Sequence, residues 1–282
     1  MSPPPPGRLA SADVLRRAIA AVCAWQNAFA FLCLVIGTYV DTILQAYIQA
    51  HPLAGVEAPP VPDLGYTALS AVHLPAWLTA DIALGAVSAT AFVRVLLEDD
   101  RVRLLRRYFL LQGIMFVMRG STITMTQLPS ANAALCTNTT DTAASPFLSG
   151  LLVAFGVQGT CRDIMFSGHC TTMTLWLLLV FLQANPRHAS TAWRIISVLF
   201  RAVLLGEYIL GVLILVGDGY HYSDDVIIAF LLACLLVSLY YALVELNRFV
   251  YETSMGPPDD ASARFGTGRA TTKFVAWFER FQ

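Results

Sequence analysis

The stretch from Val226 to Leu246 reads VIIAFLLACLLVSLYYALVEL and is apolar at almost every position. A helix rises about 1.5 Å per residue, so roughly 20 apolar residues are enough to cross the hydrocarbon core of a bilayer. Backbone polar groups cannot stay unpaired in hydrocarbon, and a segment of this kind therefore crosses as a helix. The stretch predicts a transmembrane helix.

Composition extends this prediction to the rest of the chain. Of the 282 residues, 56% are hydrophobic and 13% are charged, and the mean hydropathy is +0.61. A soluble domain carries about 25% charged residues, so an ordinary soluble globule is excluded, as are disordered, collagen-like and coiled-coil chains. The net charge of -1 provides no basic field for nucleic acid. The composition indicates an all-α, polytopic membrane protein.

Six segments are predicted to be transmembrane helices. Their approximate ranges are 19–40, 76–97, 108–125, 164–182, 193–216 and 226–246. The predicted organisation is a flexible cytosolic N-terminus (1–17), a six-helix transmembrane catalytic domain (18–250) and a cytosolic C-terminal tail (251–282).

The basic residues predict how these segments are oriented. All but two of the 18 Lys and Arg residues lie at segment ends that share one side of the membrane. The positive-inside rule makes that side, with both termini, cytosolic. Loops 41–75, 126–163 and 217–225 then face the lumen or the exterior, with Arg119 and Arg162 as the remaining basic residues. The glycosylation sequon that starts at Asn138 falls on the same side.

The cysteines give less information. Cys136 and Cys161 both fall on the lumenal side, where disulfides persist, and the sequence is compatible with either a bridged or an unbridged pair. The other cysteines lie in or near helices and are expected to be packing residues. No spacing of cysteine and histidine indicates a zinc site, so neither a metal nor a cofactor is expected.

Two histidines lie at the lumenal ends of predicted helices, beside small and polar residues. His169 follows Ser167 and Gly168, and His221 precedes Asp225 by four positions. If a helix begins at His221, the side chains of His221 and Asp225 share one face, and the carboxylate fixes the imidazole tautomer. A second histidine at the same depth can protonate a leaving oxygen. These residues fit phosphoryl transfer through a phosphohistidine; the alternative is a pair of structural interface histidines.

The same residues resemble the motifs of a known superfamily. Ser-Gly-His, followed further along the chain by His-x-x-x-Asp, resembles the lipid phosphatase and phosphotransferase superfamily. The longer runs C-x-D-x-x-x-S-G-H (161–169) and H-Y-S-x-D-V (221–226) resemble the sphingomyelin synthase family and the related sphingolipid (inositol phosphorylceramide) synthases. Two other stretches are similar to motifs of that family: Pro59–Asp63, and Arg119–Thr124 continuing to Leu128-Pro129.

Two positions depart from these patterns. Arg162 stands where family members usually carry glycine, which reduces the freedom of the backbone there. Leu215 stands where the phosphatase branch carries an arginine before its second histidine. A phosphodiester carries one negative charge and a phosphomonoester nearly two, so fewer cations are needed around a diester. The missing arginine therefore favours an enzyme that handles diesters.

The resemblance implies a ceramide phosphotransferase. Such an enzyme moves phosphocholine, phosphoinositol or phosphoethanolamine from a glycerophospholipid to the primary hydroxyl of ceramide and releases diacylglycerol. By this analogy His221 attacks phosphorus, Asp225 orients His221, and His169 protonates the leaving oxygen and then deprotonates ceramide. The transferred phosphate needs donors, and the residues expected to bind substrate or phosphate are Arg119, Asp163, Ser167, Gly168 and Tyr222. For Asp163, a hydrogen bond to an active-site histidine and a cap on the fourth helix are the alternatives.

Other functions are compatible with the same residues. One is a lipid phosphatase or phosphodiesterase with water as acceptor, and another is a lipid-binding membrane protein without turnover. A transporter is disfavoured because the chain shows no internal repeat. Ceramide and a glycerophospholipid are the expected substrates, nucleic acid is not expected as a partner, and a homo-oligomer is compatible with the sequence. A lumenal active site suits the Golgi, with the plasma membrane as the other candidate. Two intramembrane acids, Asp81 and Glu207, either pair with polar neighbours or line the lipid cavity.

Overall fold

The computed structural model describes residues 25–53, 59–69, 75, 77–132, 145–161, 163–183, 190–253 and 269–279. Across these ranges the regular elements are helices. In chain order they are α1 (Trp25–Ala50), α2 (Leu64–Leu69), α3 (Ala80–Leu96), α4 (Arg101–Met125), α5 (Pro146–Ala154), α6 (Gly168–Leu182), α7 (Thr191–Gly217), α8 (Ser223–Thr253) and α9 (Arg269–Phe278). The predicted all-α class is confirmed. Arg162, Cys136, the Asn138 sequon and the N-terminus (1–17) lie outside the described residues, so the predictions made for them stay predictions.

Each predicted transmembrane segment coincides with a helix. The helices concerned are α1, α3, α4, α6, α7 and α8. Within the described ranges, three stretches are long and apolar enough to cross a membrane: Trp25–Ala50, Thr191–Gly217 and Ser223–Asn247. That all six cross, and that both termini are cytosolic, stay predictions.

Among the described residues, two helices lie where loops were predicted, and α1, α4 and α8 extend beyond their predicted ranges. The short helices α2 and α5 fall within loops 41–75 and 126–163. Helix α5 starts where the Ser145 hydroxyl accepts a hydrogen bond from the Leu148 amide, with proline at the first helical position. Helix α1 continues ten residues beyond residue 40, because its polar residues Asp41, Gln45 and Gln49 are buried against the rest of the protein.

The helices pack into one bundle. Helix α1 packs against α4 and α5, α3 against α6 and α7, and α6 against α8. Helices α1 and α4 approach so closely that a Cβ atom added at Gly113 would lie 2.4 Å from the carbonyl oxygen of Cys33. The fully buried side chains of Met115, Met173 and Leu179 belong to the core between these helices.

The last helix belongs to the predicted C-terminal tail, yet it packs on the bundle. The Phe278 ring is fully buried and makes edge contacts with the rings of Phe29 and Tyr240. Next to it, the Glu279 carboxylate accepts two hydrogen bonds from Arg107, at 2.9 and 2.7 Å. The tail thus contributes a helix that joins α1, α4 and α8 at the end of the bundle opposite the histidines.

Candidate active site

The starts of α6 and α8 meet at the end of the bundle that holds the histidines. The Ser167 hydroxyl accepts a hydrogen bond from the Cys170 amide at 3.2 Å, which starts α6. The Ser167 amide donates to the carbonyl oxygen of Asp225 at 3.3 Å, and the Cys170 thiol donates to the carbonyl oxygen of Val226 at 3.4 Å. Helix N-termini carry partial positive charge and unpaired N–H groups, so the start of α6 favours an anion, while the start of α8 is already occupied by the Asp63 carboxylate.

These two helix starts bring His169 and His221 together. The centroids of the two rings are 6.4 Å apart, and the planes are tilted by 58°. His221 is buried, with 6% of its surface exposed, whereas 28% of the His169 side chain is exposed. The Nδ1 atom of His221 lies 3.1 Å from the carbonyl oxygen of Ile164. Because a carbonyl oxygen only accepts, Nδ1 carries the proton of the neutral ring and Nε2 keeps a free lone pair.

Asp225 lies beside His221 but does not hydrogen-bond to it. Its Oδ2 atom is 3.8 Å from Nδ1 of His221, which is beyond hydrogen-bond distance. The same oxygen accepts a hydrogen bond from the Tyr222 amide at 3.2 Å, and Oδ1 is buried with no partner among the described residues. The condition for a shared helix face, a helix that begins at His221, is not met, because α8 begins at Ser223. A turn ahead of α8 makes the two side chains neighbours.

His169 has a carboxylate partner that the sequence left undecided. Its Nε2 atom lies 2.8 Å from Oδ1 of Asp81, in the first turn of α3. Pairing with a polar neighbour is therefore the alternative that the structure supports for Asp81. The Asp81 side chain is 82% exposed, so solvent weakens the interaction. For Glu207, the same alternative holds, since it accepts a hydrogen bond from the Thr90 hydroxyl at 3.0 Å.

Arg119 is buried beneath the segment that leads into α6. Its Nε donates to the carbonyl oxygen of Phe166 at 2.9 Å, and Nη2 donates to the carbonyl oxygen and the carboxylate of Asp163 at 2.8 and 2.7 Å. Its Nη1 donates to Oδ2 of Asp41 at 2.9 Å. A Cβ atom added at Gly168 would lie 3.2 Å from Nε, so glycine lets α6 start directly above the guanidinium. These contacts position the residues before α6.

Neither alternative offered for Asp163 describes its main contact. Its carboxylate pairs with Arg119, and the residue that caps α6 is Ser167. Burial raises the pKa of Asp163, but the charge and hydrogen bonds of Arg119 outweigh burial and hold the pKa below its ordinary value. The carboxylate therefore stays ionised and keeps Arg119 in place.

Sequence reasoning missed Asp41, the second carboxylate on Arg119. The Asp41 side chain is 3% exposed and accepts a further hydrogen bond from Gln45 at 2.8 Å. The same face of α1 also holds the chain segment that precedes α6. Gln45 accepts a hydrogen bond from the Thr160 hydroxyl, and Gln49 accepts one from the Cys161 amide. A buried arginine requires a counter-ion, and that requirement was the available signal.

Tyr222 joins two distant segments rather than opening into the site. It is 4% exposed, and its hydroxyl accepts from the Val61 amide and donates to the carbonyl oxygen of Pro129, both at 3.0 Å. The Asp63 carboxylate accepts from the Ser223 amide at 2.6 Å and from the Ser223 hydroxyl at 2.7 Å, which caps α8. Partial burial raises the pKa of Asp63, but these hydrogen bonds outweigh it and leave the pKa below its ordinary value.

The predicted site residues thus divide into two groups. His169, His221 and Asp225 come together with Gly168 at the meeting helix starts. Ser167 is fully buried and caps its helix, while Arg119, Asp163 and Tyr222 are engaged with other parts of the protein.

A family model, the PAP2 superfamily C-terminal domain, matches residues 160–243. This range contains both histidines and Asp225.

Three curated relatives name their reactions. The chain is 29% identical over 233 residues to the phosphatidylcholine:ceramide cholinephosphotransferase 2 of Caenorhabditis elegans, covering 78% of this chain and 65% of that protein. It is 31% identical over 128 residues to the phosphatidylinositol:ceramide inositolphosphotransferase of Trypanosoma cruzi, covering 44% of this chain and 35% of that protein.

The third relative is the phosphatidylethanolamine:ceramide ethanolaminephosphotransferase of Trypanosoma brucei brucei, 27% identical over 125 residues, which cover 44% of this chain and 36% of that protein. The chain spans between about a third and two thirds of the length of these relatives. The matches confirm the resemblance to the sphingomyelin synthase and sphingolipid synthase family, and to the lipid phosphate phosphatase superfamily related to it.

Proposed function

We propose that the chain is a ceramide phosphotransferase, which moves a phospho-headgroup from a glycerophospholipid to ceramide and releases diacylglycerol. One observation carries the proposal: two histidine rings 6.4 Å apart at the meeting starts of α6 and α8, with the Nδ1 proton of His221 directed to a carbonyl. The free lone pair on Nε2 of His221 is the nucleophile that the reaction requires.

The first half of the reaction breaks the donor lipid. Nε2 of His221 attacks phosphorus, a P–N bond forms, and the bond from phosphorus to the diacylglycerol oxygen breaks. His169 supplies the proton that this oxygen takes up, so diacylglycerol leaves as a neutral alcohol. The negative charges of Asp225 beside His221 and of Asp81 beside His169 stabilise the protonated rings that occur along the way.

The second half transfers the headgroup to ceramide. His169, now without its proton, takes the proton of the primary hydroxyl of ceramide. The alkoxide oxygen attacks phosphorus and the P–N bond breaks, which restores both histidines. The acceptor decides between a transferase and a hydrolase, since water in place of ceramide would give a free phospho-headgroup.

The start of α6 would stabilise the charge on the phosphoryl oxygens, whereas the amides at the start of α8 are taken by carboxylates. Amide N–H groups in a first helical turn have no partner within the helix, and those of Gly168 and His169 themselves are the ones offered to an anion. The roles we assign to Arg119, Asp163 and Tyr222 are positioning roles, because their polar atoms are hydrogen-bonded to the protein. Leu215 is fully buried, and its carbonyl oxygen accepts from the His221 amide. Position 215 therefore supplies no cation to the site, which fits a phosphodiester with its single negative charge.

The protein as a whole is proposed to cross the membrane six times, with both termini cytosolic and the histidines on the lumenal or exoplasmic side. This orientation rests on the distribution of basic residues. A Golgi or plasma-membrane location and a homo-oligomeric state belong to the same proposal. Attachment of a glycan at Asn138 in microsomes would support the orientation, and modification from the cytosolic side would overturn it.

The test is synthesis of the full chain into liposomes that contain fluorescent ceramide. Phosphatidylcholine, phosphatidylinositol and phosphatidylethanolamine are each offered alone, so a new polar fluorescent lipid identifies the headgroup. The His221→Ala variant should abolish the product. The matched control is His51→Ala, which removes an exposed histidine that stacks on Tyr47 near the end of α1 and should leave activity unchanged.

A donor labelled with ³²P, offered without ceramide, should leave acid-labile label on the wild-type chain and none on His221→Ala. Product formation by His221→Ala would overturn the assigned nucleophile. Folded protein that releases free phospho-headgroup without ceramide product would be a hydrolase, and folded protein inactive with all three donors would be a binding protein.

A further inference from the structure

A cavity of about 300 Å³ lies between α1 and α4, far from the histidines. Its walls include Phe31, Leu105 and Phe109, and Arg106 also lines it. Arg106 and Arg119 are thirteen residues apart on α4, which corresponds to about 20 Å along the helix. The cavity is therefore separate from the candidate active site.

Arg106 is buried and has no hydrogen-bond or ion-pair partner in the part of the chain that the structure describes. It is 6% exposed, and neither a hydrogen bond nor an ion pair joins it to any described residue; its Nε atom is buried and unsatisfied. Its guanidinium carbon lies over an aromatic ring, 5.1 Å from the centroid of Phe278. A buried guanidinium without a partner is costly, so this side chain is expected to have an anionic ligand.

Among the described residues, Glu279 is a carboxylate that attracts Arg106, but it neither hydrogen-bonds nor ion-pairs with Arg106 and is already paired with Arg107, so one carboxylate faces two guanidinium groups. Arg103 pairs with Asp100, and Arg107 pairs with Glu279 through two hydrogen bonds. One positive charge therefore remains at the cavity, and it matches one phosphodiester. A headgroup with its own ammonium would bring a second cation next to three arginines.

The apolar side chains that line the cavity favour a lipid over a free anion as the ligand. Phe31 is 55% exposed and its ring meets the ring of Phe109 edge-on, with centroids 5.9 Å apart. An acyl chain can pack along this apolar surface through van der Waals contacts, which inorganic phosphate cannot make. From these observations we propose that the cavity binds an anionic glycerophospholipid, with its phosphate on Arg106 and an acyl chain along Phe31, Leu105 and Phe109. This site is independent of the proposed enzymatic function.

Native mass spectrometry of the purified full chain tests the proposal with dioleoylphosphatidylglycerol, dioleoylphosphatidylcholine and inorganic phosphate as probes. The wild-type chain should bind phosphatidylglycerol at least tenfold more tightly than phosphatidylcholine. The variant Arg106→Gln should lose this preference, and Arg106→Lys, which keeps the charge, should retain part of it. The matched control is Arg101→Gln, which makes the same charge change at an exposed position of the same helix.

A second variant keeps the test decisive if Arg106→Gln does not fold. The Phe31→Ala variant leaves every charge in place and should weaken phosphatidylglycerol severalfold. Equal binding of the two lipids by the wild-type chain would overturn the proposal. An equal loss in Arg101→Gln would overturn it too, since the preference would then come from the general surface charge. Saturable binding of inorganic phosphate would indicate a free-anion site and overturn the lipid assignment.

Discussion

Replacing Arg119 with glutamine distinguishes a positioning role from a phosphate-binding role. The guanidinium donates four hydrogen bonds to Asp41, Asp163 and Phe166, and its side chain is 4% exposed. Removing one partner of a buried ion pair typically costs about 3–5 kcal/mol, because the other charge stays buried without compensation. The charge left behind here is chiefly Asp41, which is 3% exposed.

We therefore expect Arg119→Gln to lower the free energy of unfolding by about 3–5 kcal/mol. For a chain of this size, each kcal/mol lowers the midpoint of thermal unfolding by roughly 2–4 °C, which gives a total on the order of 10 °C. Adding Asp41→Asn removes the stranded carboxylate, and it should recover about 1–2 kcal/mol of the loss, as coupled neighbours do. The assay is thermal unfolding of purified protein in one detergent, beside transferase activity in liposomes.

The exposed arginine Arg101 provides the control, and Arg101→Gln should leave the midpoint unchanged. If Arg119 instead binds phosphate directly, Arg119→Gln should leave the unfolding midpoint within a degree or two of wild type and raise the KM for the donor lipid. That result would refute the positioning role. A lower midpoint that the Asp41→Asn addition does not improve would refute the ion pair as its cause.

Three further substitutions probe separate parts of the molecule. Asp225→Asn should reduce kcat by up to about 10³-fold. The reason is that a charge about 4 Å from the imidazolium stabilises it by at most about 4 kcal/mol at a protein-like dielectric. Turnover at wild-type kcat would show that Asp225 has no part in the reaction. Asp63→Asn should cost about 1 kcal/mol of stability at pH 7, measured by thermal unfolding. Because the folded pKa of Asp63 is lowered, its contribution is present above the ordinary aspartate pKa of about 3.9 and is lost as the pH falls through the folded value. The difference from wild type should therefore vanish in acid, and a gap that widened there would contradict this sign. Glu279→Gln strands Arg107 and should cost about 3 kcal/mol while the KM for the donor stays at the wild-type value; a changed KM would show that the C-terminal helix affects the active site.

The helices and the histidine pair could both be predicted from the sequence, for different reasons. Apolar stretches such as Val226–Leu246 need only their own composition to specify a buried or membrane-spanning helix. His169 and His221 were found because each occurs in a short motif whose spacing carries chemical meaning. Neither inference needs knowledge of contacts between segments that are distant in sequence.

The extension of α1 required such knowledge. Asp41, Gln45 and Gln49 indicate a polar loop when they are examined alone, and a polar helical face has no other local signature. Their partners are Arg119, Thr160 and the Cys161 amide, all more than seventy positions away. The ion pair between Asp41 and Arg119, which holds the chain segment before α6, therefore became visible only in three dimensions.

Motifs identified which residues cluster, but not which way their side chains point. The stretches Pro59–Asp63 and Arg119–Pro129 do converge on the histidine end of the bundle, yet their contacts are with Tyr222, Ser223 and the segment before α6. Each of these contacts supports the backbone that carries a histidine. A change in either stretch should therefore lower stability and kcat together, because the histidines lose their fixed spacing before any substrate contact is lost.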